Sequence, residues 1–219
     1  MLISLFSISC ARQAKIPAPE RAVPGPFVQF NYLSMFGKNP SYNEYFKINR
    51  SFAQTKLVKS ATNITTTLII DNDFNMLCVT RDSLTVKYTH PILFYYTNNK
   101  QAGGMRVNSK RIVVFPEFQL RDFYYSTNTE LEFIQLLGED FRAAEITARK
   151  LKKTTITQNE KPIEILPIEL TINRVPPKQW RMVFYYDTYG WVILKEGFFK
   201  SKSPNYSSEL ITRKKETSS

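Results

Sequence analysis

Alternation of polar and apolar side chains is the feature of this sequence that most restricts its fold. In residues 64–70 and again in residues 84–89, side chains of similar character recur at every second position. A period of two is typical of a β-strand with one buried face, whereas an amphipathic helix repeats every 3.6 residues. The composition agrees, because the chain has 16 Phe and 12 Tyr against only 7 Gly, and aromatic residues favour sheet. Much of the chain is therefore predicted to form β-strands.

Several other segments also have the character of strands. The turn residues Asp71-Asn72-Asp73-Phe74-Asn75 precede an apolar run, and a hairpin is expected around the turn 187–190. In residues 163–172 the parity changes across Leu166-Pro167, which predicts a bulge or an edge position. The remaining predicted strands are 76–80, 92–97 and 111–115, and residues 98–104 are expected to form a flexible loop.

Two segments fit helical periodicity. In residues 40–58, Asn39 can cap a helix with Pro40 at its first position, and aromatic residues share one face. In residues 129–153, acidic side chains lie early and basic ones late, as the helix dipole favours. The second segment also has an apolar stripe in steps of three or four, formed by Ile134, Leu137, Phe141, Ala144, Ala148 and Leu151. Both segments are therefore predicted to be helices.

These elements together predict the α+β fold class, with a mainly antiparallel sheet and two helices packed on one face. Most links between strands are too short for parallel crossovers, and helices on one face of an antiparallel sheet are typical of this class. We expect a single domain over residues 27–200. It is preceded by a signal-like segment (1–9) and a Pro-rich tether (10–26), and it is followed by a polar basic tail (201–219).

The N-terminus has the character of an export segment. Residues 1–9 are apolar or small and uncharged, Cys10 follows Ser9 directly, and four prolines lie between residues 17 and 26. The order Leu5-Phe6-Ser7-Ile8-Ser9-Cys10 resembles a bacterial lipoprotein signal with a relaxed lipobox of the spirochaete kind. This resemblance implies that the Cys10 thiol receives a diacylglyceryl group and that the membrane is a partner through that anchor. The implied location is the periplasmic or outer surface of the cell envelope.

Two alternative roles for the N-terminus stay open at the level of sequence. No acidic residue precedes Glu20, and Arg12, Lys15 and Arg21 supply positive charge, which is also compatible with a mitochondrial presequence. An untargeted N-terminus is the third alternative.

The sequence offers few groups for catalysis or for metal binding. His90 is the only histidine, and Cys78 lies in an apolar run where a buried free thiol is expected. One His and no close Cys pair do not make a zinc site, and no nucleotide motif is present. We therefore predict no cofactor, no metal and no catalytic set, with one weaker alternative. That alternative is an envelope hydrolase using two carboxylates among Asp122, Glu130, Glu132, Glu139 and Asp140.

Basic and aromatic side chains suggest a binding surface. Interleaved aromatic and cationic groups suit protein interfaces and single-stranded nucleic acid alike. The leading hypothesis is a lipid-anchored, non-enzymatic envelope module that binds another envelope protein or a polymer. The alternative is a nucleic-acid-associated, organellar protein, which the net charge of +11 would suit. The possible binding surface comprises Tyr95, Tyr96, Lys100, Arg106, Lys110, Arg111, Tyr189 and Trp191.

Overall fold

The described part of the protein is mostly β-structure. The computed structural model describes residues 27–109, 111–158, 160–177 and 179–215, so residues 1–26 with Cys10, and also Lys110, lie outside the described part. The first eight strands are Phe27–Phe36 (β1), Tyr42–Arg50 (β2), Thr55–Ala61 (β3), Ile64–Ile70 (β4), Met76–Arg81 (β5), Leu84–Thr89 (β6), Ile92–Thr97 (β7) and Lys100–Arg106 (β8). The other eight are Ile112–Val113 (β9), Glu130–Leu137 (β10), Arg142–Lys150 (β11), Thr154–Gln158 (β12), Lys161–Ile172 (β13), Trp180–Asp187 (β14), Val192–Phe199 (β15) and Tyr206–Lys215 (β16). Two short helices, Pro116–Gln119 (α1) and Arg121–Tyr125 (α2), lie between β9 and β10.

All sixteen strands belong to one sheet. Strands β1 to β8 form a meander, each antiparallel to the next, while β16 joins β1 and connects the meander to β15, β14, β13, β11, β10 and β9. Among the described strands only β9 and β10 pair in parallel, and β12 lies beside β13 off the main path. The chain therefore meets itself through β1 and β16, its first and last described strands.

The sheet curls into a barrel-like shell. Strands β5 and β10 are far apart in the sheet order, yet the Arg81 guanidinium donates to the carbonyl of Gly138 at 3.1 Å. Likewise the Tyr95 hydroxyl on β7 donates to the carbonyl of Phe141 at 3.4 Å. We call the meander β1–β8 and the strands from β16 to β9 the two arms of the sheet. These contacts require the two arms to face each other, so the shell has an inner and an outer face.

The two helices fill part of the shell. Every residue of α1 is buried, and the Phe118 ring lies 5.3 Å from Phe30 and 5.0 Å from Phe46, centroid to centroid. The Tyr186 hydroxyl on β14 donates to the Pro116 carbonyl at 3.0 Å. The helical segment is thus an internal plug that contacts both arms of the sheet. No helix within the described ranges has the length and apolar character needed to cross a membrane.

The predicted helix over 40–58 is wrong, because these residues form β2 and β3. In β2 the buried positions are Glu44, Phe46 and Ile48, and they alternate with exposed Tyr45 and Lys47. A carboxylate at an inward position concealed the two-residue period, and the aromatic residues then matched a helical face by coincidence.

The predicted helix over 129–153 is also wrong, because it is the hairpin β10–β11. Strand β10 buries residues 133–136 on both of its faces, which removes the polar alternation that marks a strand. Gly138, with φ +73°, lies in the turn. Glu130 and Arg149, expected near opposite ends of a helix, are cross-strand partners joined at 2.8 Å. The α+β class with two packed helices is accordingly replaced by a barrel-like β fold.

Other segments also differ from their sequence-based description. Residues 98–104 are not a loop, because Asn98 and Asn99 form a two-residue turn with φ of +50° and +64° and β8 follows at once. Residues 206–215, predicted to belong to a polar tail, form the central strand β16. At Leu166-Pro167 the neighbour of β13 changes from β12 to β11, which explains the change of parity.

Candidate ligand-binding cavity

An ion-pair network lies on the inner face of the shell. The Lys195 ammonium on β15 contacts the Glu44 carboxylate on β2 at 2.8 Å and the Glu117 carboxylate on α1 at 3.4 Å. Glu44 is also 2.9 Å from Lys59 on β3. Lys195 is only 2% exposed, so two arms of the sheet and the plug meet at one buried cation. We call Glu44, Lys59, Glu117 and Lys195 the interior cluster.

The interior cluster is held in its charged form. Burial by itself would raise the pKa of the Glu44 carboxyl, but the ammonium groups of Lys195 and Lys59 outweigh it and hold that pKa at about 2. Burial would lower the pKa of Lys195, and the Glu44 carboxylate outweighs it and raises that pKa well above its ordinary value. At neutral pH these two groups therefore form a stable ion pair.

A cavity of about 180 Å³ adjoins this cluster. Its polar wall includes Lys59, Arg81, Glu117, Gln135 and Lys195, which come from four strands and the plug. The remaining wall consists of Val114, Phe115, Pro116, Leu136, Leu137, Gly138, Phe141, Met182, Phe184 and Tyr206. The cavity is thus amphipathic, with charged groups and aromatic rings side by side.

Gln135 is one of several described side chains with a buried polar atom that has no hydrogen-bond partner, and it lies in the cavity wall. It is 5% exposed, and its Oε1 has no hydrogen-bond partner within the described part of the chain. Gln119 in the plug is the opposite case. Its Oε1 accepts from the backbone N–H groups of Val114 and Phe115, and its Nε2 donates to the carbonyls of Phe74 and Ile112. Gln119 therefore has a structural role, whereas the Gln135 side chain keeps a buried acceptor without a partner.

A second, larger depression lies on the outer face of β16, β1, β2 and β3. It has a volume of about 510 Å³, and exposed Tyr45, Lys47 and Lys214 contribute to its walls. It is an outer groove of the sheet, separate from the interior cluster.

The residues of the expected binding surface differ in exposure and in their partners. Tyr95 packs against the core with its hydroxyl bound to Phe141, while Tyr96, next along β7, has Lys87 over its ring at 5.2 Å. Lys100 and Arg106 are exposed on β8, and Arg111 is paired with Asp122. Tyr189 is exposed at the β14–β15 turn. Trp191 is buried with the Arg121 guanidinium 3.7 Å from its ring.

Most of the groups considered for catalysis contact another side chain as hydrogen-bond or ion-pair partners. The His90 Nδ1 is 2.7 Å from the Tyr88 hydroxyl, and the Cys78 thiol, which is partly rather than fully buried, is 3.9 Å from the Thr80 hydroxyl. Among the carboxylates proposed for hydrolysis, Asp122, Glu130 and Asp140 each pair with an arginine. Glu132 and Glu139 are exposed.

The cavity residues were missed in the sequence because each looked like an ordinary surface group. One signal could have found them, namely a charged or amide side chain at an inward position of a strand. Glu44 shares its parity with Phe46 and Ile48, and Gln135 interrupts the apolar run 133–137. Such positions favour apolar residues, so a polar one there indicates a paired or functional group.

Comparison with known proteins gives the fold. The sequence matches no protein-family model and no curated protein. The fold is similar to the crystal structure of a beta-barrel-like protein of a domain of unknown function from Brucella abortus, with a TM-score of 0.60 and 10% identity over 86% of this chain and 97% of that one. The hypothetical lipoprotein YmcC from Escherichia coli also matches, with a TM-score of 0.40 and 14% identity over 87% of this chain and 88% of that one. Since a fold does not imply an activity, the chain is similar to the Brucella abortus protein in its barrel-like β fold alone.

Proposed function

We propose that this protein is a lipid-anchored protein of the cell envelope that acts as a non-enzymatic binding module and takes a small ligand into its interior cavity. The observation that carries the proposal is a cavity of about 180 Å³ whose walls combine buried charged groups with aromatic and aliphatic side chains. Apolar surface with a small number of placed polar groups is typical of a site for a small ligand.

Binding suits the interior cluster better than catalysis does. A general acid or base works best with a pKa near the operating pH, whereas Glu44 has a pKa of about 2 and that of Lys195 is raised further above neutrality. Neither group is poised to exchange a proton at pH 7. Fixed charges in a partly closed cavity instead favour recognition of a polar ligand.

Replacing Gln135 by Leu is expected to raise the free energy of unfolding of the ligand-free protein by about 1 kcal/mol, because the substitution removes a buried acceptor that has no partner. The matched control is Gln119→Leu, which breaks four hydrogen bonds and is expected to cost about 2 kcal/mol or more. Urea unfolding of both variants measures the difference. A clear loss of stability in Gln135→Leu would contradict this expectation and would mean that the Gln135 side chain makes hydrogen bonds that stabilise the fold.

The anchor rests on the sequence before the domain. An apolar segment, a small residue and Cys10 are followed by a proline-rich stretch, which is suited to act as an extended spacer. One lipid chain binds a membrane only marginally, so the diacylglyceryl group expected on Cys10 would provide the two chains that stable anchoring needs.

Changing Cys10 to Ala should move the protein from the detergent phase to the aqueous phase of a Triton X-114 separation, since the thiol that carries the lipid is lost. Cys78→Ala is the matched control, because it removes the other cysteine and should leave the wild-type distribution unchanged. Mass spectrometry of the N-terminus should find a modified Cys10 in the wild type. An intact Met1 on a wild-type protein that stays in the aqueous phase would refute the anchor.

A further inference from the structure

The electrostatic balance of the interior cavity points to the charge of its ligand. Three cations, Lys59, Arg81 and Lys195, line the cavity, while the carboxylates of Glu117 and Glu44 belong to the same network. Three positive and two negative groups leave one positive charge. Because Lys59 and Lys195 both contact carboxylates, the unbalanced charge is that of Arg81.

Arg81 is fixed in place without being neutralised. Its Nε donates to the Thr66 hydroxyl at 2.9 Å, and its Nη1 donates to the Gly138 carbonyl at 3.1 Å. The Phe141 ring lies 5.0 Å from the guanidinium carbon. Within the described ranges no carboxylate pairs with Arg81, and its Nη2 makes no hydrogen bond. Its guanidinium is therefore oriented in advance and retains donors for an anion.

The rest of the wall limits the size and character of the ligand. Phe141, Met182 and Phe184 supply apolar surface. An apolar cavity of about 150 Å³ accommodates benzene, so about 180 Å³ suits a body the size of one ring. Larger amphiphiles such as whole phospholipids exceed this volume.

We propose that the interior cavity binds a small organic carboxylate, whose anionic group pairs with Arg81 and whose compact apolar body packs against Phe141, Met182 and Phe184. This inference rests on the proposed function, because it names the ligand class of the same cavity.

Isothermal titration calorimetry of the purified full chain with benzoate and with benzamide tests the inference, because these probes have nearly the same shape and differ in charge. At an ionic strength of about 0.15 M, benzoate is expected to bind at least about tenfold more tightly than benzamide. Arg81→Gln should remove this preference and leave benzamide binding unchanged. Arg106→Gln, which changes an exposed arginine on β8, is the matched control and should behave as the wild type.

The outcomes separate the inference from the proposed function. If Arg81→Gln does not fold, Arg81→Lys keeps the charge but loses the planar fork, and it should retain a reduced preference for benzoate. Equal affinity for benzoate and benzamide overturns the anion assignment and leaves the ligand-binding cavity standing. If benzoate, benzamide and benzyl alcohol all fail to bind the folded wild type, the ligand site itself is refuted.

Discussion

Lys195→Met is expected to lower the free energy of unfolding by about 3–5 kcal/mol, because it leaves two buried carboxylates without their shared cation. Lys195 contacts Glu44 at 2.8 Å and Glu117 at 3.4 Å, and both side chains are almost fully buried. Methionine fills a similar volume, so the loss reports charge rather than packing. After the substitution Glu44 still has Lys59, whereas Glu117 loses the one ion pair found for it within the described residues.

Urea unfolding of a double-mutant cycle measures this effect. Lys59→Met is the matched control: the Lys59 side chain is 25% exposed, and removing it leaves Glu44 with Lys195, so a loss below about 1 kcal/mol is expected. Combining Lys195→Met with Glu117→Gln should recover part of the loss, since the carboxylate left without a cation is then neutral. A Lys195→Met protein as stable as the wild type would show that the interior cluster does not hold the two arms of the sheet to the plug.

Phe118→Ala in the plug is expected to lower the free energy of unfolding by about 3–5 kcal/mol. The Phe118 ring packs edge-on against Phe30, lies tilted at 5.0 Å from Phe46, and is 6.4 Å from Trp191. These partners lie on β1, on β2 and in the β14–β15 turn, so the ring joins separate parts of the shell. Deleting it leaves a cavity that the surrounding strands cannot fill without a rearrangement of the shell.

The matched control for this prediction is Phe52→Ala. Phe52 is fully exposed in the β2–β3 turn, at 101% of its reference area, so its removal should change stability by no more than about 0.5 kcal/mol. Denaturant midpoints and slopes for both variants provide the comparison. A loss of less than about 1 kcal/mol in Phe118→Ala would mean that the shell is stable without the plug.

Prediction from sequence succeeded where one face of a strand is buried and the other exposed. Strands β4 and β6 were located in this way. The β14–β15 hairpin and the turn at Asp71 were located from their turn residues, and the Asp71 carboxylate accepts from the backbone N–H groups of Asp73 and Asn75. In each case the local pattern and the tertiary environment agree, so a short window of sequence is sufficient.

Prediction failed where the interior of the shell is polar or where a strand is buried on both faces. Glu44 in β2 and Gln135 in β10 are inward side chains that a pattern of apolar residues does not anticipate. Lys195, the partner of Glu44, is 151 positions away along the chain. Arg81, which lines the same cavity as Gln135, is 54 positions from it. No local period contains contacts of such separation.

The sequence by itself determined that this chain is rich in strands and that an uncharged stretch of apolar or small residues precedes Cys10. Both are properties of neighbouring residues. The tertiary structure alone decided that the strands form one curled sheet around a helical plug and that Lys195, Arg81 and Gln135 meet at one cavity. The physical reason is that burial reverses the preference of a charged side chain, and burial is known only when distant strands have been brought together.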